Sequence, residues 1–148
     1  MRFSKTTDYA LRVMVALALA QDERLSLHTL SEREKIPRKF LEHVVRDLKS
    51  AGLIQSTPGP KGGYQLSHPA HLISVAQVLH AIQGPLMPVE RLEARDIPQH
   101  LKDPIHRLRD VIKEIRAYAR HQLESINLAD LAQVREVGES TESLMYYI

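Results

Sequence analysis

Apolar residues in the first third of the chain recur at the spacing of α-helices. Residues 8–19 are apolar almost all round, which predicts a largely buried helix. A shorter helix is predicted over residues 27–35, with Ser26 as its N-cap. After a break at Ile36–Pro37, a third predicted helix over residues 38–52 has one apolar face, made of Phe40, Leu41, Val44, Val45 and Leu48. Two helices joined by so tight a break predict a helix-turn-helix.

The pattern then changes from helical spacing to short β-prone runs. Residues 53–57 and 64–67 flank a segment rich in proline and glycine, which predicts a β-hairpin. The next predicted helix covers residues 75–83, with Ser74 as its N-cap and Gly84 at its end. Because a hairpin that directly follows a helix-turn-helix is typical of a wing, residues 1–84 are predicted to form a winged helix-turn-helix DNA-binding domain.

The rest of the chain is predicted to be a loop, a long helix and a tail. Residues 85–103 contain three prolines and mixed charge, and we interpret them as the loop. Asp103–Pro104 is a strong helix start, and apolar residues at three–four spacing continue the helix to Ile126. A short closing helix completes this region, which spans 104–132, and residues 133–148 form an acidic C-terminal tail. The predicted fold class is mainly α with a small β-wing.

Composition excludes several classes of protein. The 148 residues include no cysteine, which excludes disulfides, thiolate zinc sites, a catalytic thiol and all-thiolate iron–sulfur clusters. The histidine pairs lack the spacing of metal ligands on a helix face, so no metal and no cofactor is expected. Since no nucleophile elbow or other catalytic motif occurs, an enzyme is not expected either. The longest apolar run, Val13–Ala20, is too short to span a bilayer, and the expected location is the cytoplasm.

Positive charge is concentrated in the predicted winged domain. Residues 1–64 contain 11 Lys and Arg against 7 Asp and Glu, although the whole chain has a net charge of only +2. A local basic surface indicates a polyanion partner, and the outward face of the third helix would offer side chains to the major groove of double-stranded operator DNA. The candidate DNA-binding residues are Ser26, His28, Arg38, Lys39, Phe40, Glu42, His43, Arg46, Lys61, Gly62 and Tyr64. The alternatives are an ordinary helical hairpin with a solvated charged face, and an interaction module that does not bind DNA.

The glycine-rich loop at residues 58–63 is assigned to the tip of the wing. A strand follows it, whereas a phosphate-binding loop would be followed by a helix that Lys-Ser/Thr opens. Its three glycines are expected to let the backbone approach DNA closely, and Lys61 is expected to supply a cation to phosphates.

The apolar stripe of the long predicted helix is too extended to leave in water. A twofold pair of such helices would bury the stripe and form a homodimer. The predicted interface residues are Ile105, Leu108, Ile112, Ile115 and Ala119. The alternative is that the stripe packs against its own domain.

The chain ends in four apolar residues, Met145, Tyr146, Tyr147 and Ile148, after an acidic segment. One interpretation is that they fold back and fill a groove of the same chain. The other is that they bind a partner, whose backbone N–H groups would capture the terminal carboxylate.

Several short motifs, spread over most of the chain, together resemble those of a known protein family. They are KTT at residues 5–7, YALR at 9–12, IPRKFLE at 36–42, LKSAGLI at 48–54 and GPKGGY at 59–64, followed by the segment 73–90. These motifs resemble the Rrf2 (Rrf-two) family of winged-helix transcriptional repressors. Many members of that family are iron–sulfur sensors, whose first ligand cysteine stands where this chain has Arg91.

A cysteine-free branch of the family, which represses cysteine-metabolism genes in Gram-positive bacteria, is more similar to this chain. The similarity lies in residues 84–92, 109–114 and 128–131 and in the last four residues. It implies a dimeric repressor that pairs with cysteine synthase (O-acetylserine sulfhydrylase), and Met145 to Ile148 are the residues expected to contact that enzyme. The alternative within the family is a sensor of iron–sulfur, redox or nitric oxide state, for which Asp8 alone matches a ligand position.

Overall fold

The computed structural model describes residues 3–85 and 105–145, with side chains through residue 140. Its helices are α1 Lys5–Ala20, α2 Leu27–Glu34, α3 Arg38–Ser50, α4 Val75–Gln83, α5 His106–Ser125 and α6 Leu128–Met145, and its strands are β1 Ile54–Thr57 and β2 Gly63–Leu66. A 3-10 helix, Ala70–Leu72, precedes α4. The prediction of a mainly α fold with a small β-wing is confirmed.

Helix α1 is the centre of the core, as its nearly continuous apolar sequence predicts. It begins after Ser4, whose Oγ accepts a hydrogen bond from the backbone N–H of Thr7 at 3.2 Å. It packs against α2, α3, α4 and α6. Ala10, Val13 and Met14 are fully buried in the resulting core.

The helix-turn-helix is formed by α2 and α3. Ser26 caps α2 as predicted, because its Oγ accepts a hydrogen bond from the N–H of Thr29 at 3.0 Å. Four apolar side chains of α3 are buried, namely Leu41, Val44, Val45 and Leu48. The predicted core position of Phe40 is wrong, since this side chain is 53% exposed. It lies at the edge of the apolar stripe in the first turn of the helix, where the core no longer covers it.

The predicted hairpin is formed by β1 and β2. The strands are antiparallel, with Ile54 opposite Leu66. A reciprocal backbone pair between Leu25 and Tyr64, with N···O distances of 3.0 and 2.8 Å, attaches β2 to the segment just before α2. The wing is therefore bonded to the entrance of the helix-turn-helix.

The chain leaves the winged-helix unit after α4 and returns beside the start of that helix. The N–H of Val75 donates to the C=O of Ile126 at 2.9 Å, and the N–H of Leu128 donates to the C=O of Ile73 at 3.0 Å. Ser74, the predicted cap, forms a capping box at the N-terminus of α4. Leu128 is fully buried in the same core as α1.

Helix α6 differs from the predicted C-terminal region. It starts at a capping box in which Asn127 and Asp130 each accept the other's backbone N–H at 3.0 Å. It then continues without a break to Met145, so the prediction of a short closing helix followed by a separate tail is wrong. Packing of α6 on α1 supports this helix, whose own apolar pattern is weak.

Helix α5 begins at His106, with Ile105 as its N-cap residue. The predicted helix start at Asp103–Pro104 and, apart from Pro85, the predicted loop lie outside the described residues. Within residues 3–85 and 105–145, no helix is both long and apolar enough to cross a membrane.

Candidate nucleic-acid interface

The turn between α2 and α3 is held by the chain's own hydrogen bonds. Lys35 adopts left-handed backbone with φ of +51°, and the next residue, Ile36, is 1% exposed. Ser31 Oγ donates to the C=O of Ile36 at 2.8 Å, while the N–H of Ile36 donates to the C=O of Ser31 at 3.2 Å. These contacts fix the direction in which α3 leaves the turn.

The exposed face of α3 carries the five polar residues predicted to contact DNA, namely Arg38, Lys39, Glu42, His43 and Arg46. Arg38 Nε lies 3.3 Å from Glu42 Oε1, and Arg46 Nε lies 3.3 Å from Asp47 Oδ1. Exposed ion pairs of this kind are weak, so each arginine can exchange its partner for a phosphate or a base. The side chains of Lys39 and His43 make no hydrogen bond or ion pair with any residue that the structure describes.

Lys49 connects this helix to the wing, and the sequence pattern did not predict that role. Its Nζ donates to Ser56 Oγ of β1 at 2.6 Å. The residue lies in the last turn of α3, away from the early turns that supply base contacts. No spacing rule relates a lysine at the end of a helix to a serine in the following strand, so only the fold identifies this pair.

The glycines of the wing are required by the chain itself. A Cβ on Gly62 would lie 2.0 Å from the C=O oxygen of Thr57, and a Cβ on Gly63 would lie 2.7 Å from the C=O oxygen of Leu25. This close approach of backbone to backbone explains both residues without DNA, and a DNA contact of Gly62 stays a prediction. Lys61 is exposed at the tip of the wing.

The remaining candidate residues, Ser26, His28, Phe40 and Tyr64, lie at the start of α2, in α3 and in the wing. Ser26 is engaged in capping α2, and His28 is exposed in the first turn of that helix. Tyr64 is half-buried and packs against the core. The exposed Phe40 ring lies with its centroid 6.2 Å from that of Tyr9. The α3 face, the wing and the start of α2 are thus linked by direct bonds into one surface.

The five predicted dimer residues share one face of α5 but differ in exposure. Leu108 and Ile115 are exposed, at 51% and 49%. The other three, Ile105, Ile112 and Ala119, are half-buried. Since three of the five residues are half-buried within one chain, the exposed part of this face is smaller than predicted, and their role in a dimer stays a prediction.

Two further apolar residues of α5 complete its exposed stripe. Val111 and Tyr118 are exposed and lie three residues after Leu108 and Ile115. The seven-residue spacing did not select them, but at 3.6 residues per turn positions i, i+3, i+7 and i+10 share one face. The stripe of Leu108, Val111, Ile115 and Tyr118 is the exposed apolar face of α5.

The candidate partner-binding residues are only partly within the described chain. Met145 is the last helical residue of α6, and Tyr146, Tyr147 and Ile148 lie outside the described residues. In the described ranges, no three His, Asp or Glu side chains are grouped so that they could hold a metal ion.

A helical core, an exposed polar recognition helix and a wing bonded to it define a winged helix-turn-helix protein of the DNA-binding transcriptional regulator class. Residues 3–134 match the sequence profile of the Rrf2 family, described as an iron-dependent transcriptional regulator. The chain belongs to the Rrf2 family, and the resemblance predicted from its motifs is confirmed. The family and the relatives of this chain are transcriptional regulators and not enzymes.

Two curated relatives and one solved structure set the level of similarity. The HTH-type transcriptional regulator CymR of Bacillus subtilis (strain 168) is 32% identical over 149 residues, which cover the whole of both chains. Rv1287 of Mycobacterium tuberculosis, provisionally named an HTH-type transcriptional regulator, is 38% identical over 133 residues, or 89% of this chain and 81% of that protein. The solved structure of B. subtilis CymR, described as the global cysteine regulator, has a TM-score of 0.73 at 26% identity and covers 90% of this chain and 98% of its own.

Proposed function

We propose that this protein is a dimeric repressor that binds operator DNA through α3 and the wing. The observation that carries the proposal is the exposed face of α3, whose polar residues start in its first turn, where a recognition helix reaches base edges. Lys49 supports it, because its bond to Ser56 holds the wing beside the same helix.

The side chains of this face suit both kinds of DNA contact. Arg38 can bond N7 and O6 of a guanine, and Glu42, which lies 3.3 Å from it, can accept a hydrogen bond from N4 of a cytosine. Lys39 and Lys61 suit phosphates, which position the protein without reading sequence. His43 and Arg46 extend the face along the following turns.

Dimerisation through α5 would present two α3 helices to two half-sites. The exposed apolar face of α5 supports this, since a row of four large apolar side chains is typical of an interaction surface. A twofold pair of α5 helices buries the row on both copies. Its axis would match the symmetry of a pseudo-palindromic operator.

Cysteine metabolism is the pathway we propose for the regulated genes. Full-length similarity to CymR, described in its solved structure as a global cysteine regulator, supports this assignment. The cysteine-free sequence, which lacks thiolate ligands for a cluster, also supports it. Cysteine synthase is the proposed partner, and Met145 to Ile148 are the proposed contact residues.

The test is fluorescence anisotropy of promoter fragments titrated with the protein, at salt concentrations from about 50 to 200 mM. We expect specific binding that weakens by orders of magnitude across this range, because phosphate contacts release counterions. The double variant Arg38→Ala/Lys39→Ala should bind the operator at least about tenfold more weakly. The matched control Arg107→Ala/Lys113→Ala removes the same charge from exposed positions of α5 and should bind as the native protein does. Equal binding by the first variant, or equal loss in the control, would contradict the assignment of α3.

A further inference from the structure

Glu34 is a buried carboxylate at the end of α2. The residue is 2% exposed, and it directly precedes the left-handed Lys35 of the turn into α3. Glutamate is almost never buried to this degree unless it is paired. Its pairing therefore shows which parts of the molecule must be in place for this turn to keep its shape.

The first partner comes from α1. Arg12 Nε lies 3.6 Å from Glu34 Oε2, and the Arg12 guanidinium also donates to the backbone C=O of Glu34. Arg12 is itself held on its outer side by Asp8 Oδ2 at 3.5 Å and by the face of the Tyr9 ring, whose centroid lies 5.9 Å from the guanidinium carbon. One arginine thus binds both the side chain and the backbone at the end of α2.

The second partner comes from α6, 101 residues further along the chain. Arg135 Nη1 lies 3.0 Å from Glu34 Oε1 and donates a hydrogen bond to Oε2 at 3.2 Å. Its Nε lies 2.9 Å from Glu139 Oε1, one turn along α6. Desolvation by partial burial lowers the pKa of Arg135, but hydrogen bonds to Glu139 and Glu34 and their charges outweigh it, so that the pKa is raised above its ordinary value.

We propose that Arg135 is a positioning residue for operator recognition, which acts through Glu34 to couple the C-terminal helix α6 to the angle of the recognition helix α3. The proposal rests on the proposed DNA-binding function. Arg12, Glu34 and Arg135 form a three-residue ion cluster that joins α1, the turn and α6. Because α3 begins only four residues after Glu34, a change in the pairing of this carboxylate moves the start of the DNA-reading face.

A simple contribution to stability explains this cluster less well. Well-packed apolar residues often stabilise a fold as much as a buried ion pair does, whereas an ion cluster fixes one geometry and is disrupted when a member leaves. Arg135 is the member on the helix that leads to the proposed partner-binding residues. Displacement of α6 by a ligand at its C-terminal end would withdraw Arg135 from Glu34 and weaken operator binding, although no such ligand would touch DNA.

The experiment compares Arg135→Gln with Arg135→Lys, which keeps the charge. The matched control is Arg120→Gln, which removes an exposed arginine whose Nε lies 2.7 Å from Glu124 on α5. For each protein, affinity is measured for the operator and for a scrambled duplex at one salt concentration and at a temperature at which all variants are fully folded. Titration at a stoichiometric protein concentration gives the fraction of active protein.

We expect Arg135→Gln to lower the ratio of operator to scrambled affinity by about tenfold, within the range for residues that couple sites without touching a ligand. The active fraction should not change, Arg135→Lys should restore most of the ratio, and Arg120→Gln should leave it unaltered. A native ratio in Arg135→Gln, whether or not the active fraction falls, would mean that the role of Arg135 is merely structural, and that result would overturn the proposal. An equal loss in Arg120→Gln would overturn it as well.

A second variant covers the case in which Arg135→Gln does not fold. Glu34→Gln/Arg135→Gln removes both charges, so no unpaired carboxylate stays buried, and it should show the same loss of ratio. If the native protein itself did not distinguish operator from scrambled DNA, the proposed function would fail. If it did so and the double variant kept the native ratio, only the coupling through Glu34 would fail.

Discussion

Gly62 cannot carry a side chain in this wing. A Cβ at this position would meet the carbonyl oxygen of Thr57 at 2.0 Å and the carbonyl group of Pro58 at 2.8 Å. All of these atoms belong to backbone, so none can turn aside as a flexible side chain could. The hairpin therefore needs glycine at position 62, whether or not a ligand is bound.

Gly62→Ala should therefore lower the free energy of unfolding by about 1–3 kcal/mol, the cost of relieving an overpacked contact. The measurement is thermal or urea unfolding followed by circular dichroism. Gly138→Ala is the matched control, because Gly138 lies within α6 and a Cβ there would meet no described atom within 4 Å beyond its chain neighbours and the backbone of its own helix. That control should stabilise the protein by about 0.5–1 kcal/mol through better helix propensity. Equal unfolding midpoints for Gly62→Ala and the native protein would refute the close approach.

Residue-level signals in the sequence predict some positions well and others poorly. Ser26 and Ser74 each cap a helix as expected, because a cap is a contact within three residues of sequence. Glu34 could not be predicted as buried and paired, since its partner Arg135 is 101 residues away and no local pattern joins the two. Spacing alone puts Phe40 on the core face, but the core ends before it.

At the scale of elements, the first four helices and the hairpin follow from sequence because their boundaries carry local signals. Gly52, with φ of +73°, ends the region of α3, and proline and glycine separate the two strands. Helix α6 is the exception. Its exposed Val134 and Val137 and its internal Gly138 give no clear apolar stripe. Contacts with α1 and the ion pair to Glu34, rather than helix propensity, keep it helical.

Helix α5 gives a direct prediction for assembly. Ile115→Glu would bury a charge in the proposed interface at a cost of several kcal/mol, so the variant should be monomeric at low micromolar concentration. Sedimentation velocity measures the outcome. Lys113→Glu is the matched control, since two residues correspond to about 200° around the helix and the substitution therefore lies away from the apolar face. A dimeric Ile115→Glu protein would rule out this face as the interface.

At the scale of the whole molecule, we propose separate roles for the basic N-terminal half of the chain and for its acidic C-terminal segment. The basic N-terminal half is proposed to face DNA, and the acidic C-terminal segment leads to the residues proposed to contact cysteine synthase. Because α6 packs on α1, these two roles belong to one packed body. The Rrf2 fold and the polar face of α3 were predictable from sequence, whereas this packing of the C-terminal helix was not.

Deletion of Ile148 separates the two interpretations of the chain end. We expect the shortened protein to keep its unfolding midpoint and operator affinity but to bind cysteine synthase at least about tenfold more weakly, because one of the four proposed contact residues is removed. Isothermal titration calorimetry with the purified enzyme measures this, and Ile148→Val, which keeps an apolar side chain, is the control. A lower unfolding midpoint would support an internal plug, and unchanged enzyme affinity would exclude the partner role.

The backbone bonds that tie Ile73 and Val75 to Ile126 and Leu128 have an evolutionary consequence. They join the start of α4 to the chain where it comes back from α5, so the returning chain is fixed to the core. The excursion is the segment between the end of α4 and the start of α5. The cost of closing a loop rises only slowly with its length. Residues can therefore be inserted, deleted or exchanged in the excursion while the DNA-reading half keeps its fold. The excursion includes position 91, where the resemblance to iron–sulfur sensors implies a ligand cysteine and this chain has arginine. We therefore expect that ligand residues can be gained or lost in this segment while the winged-helix domain keeps its fold.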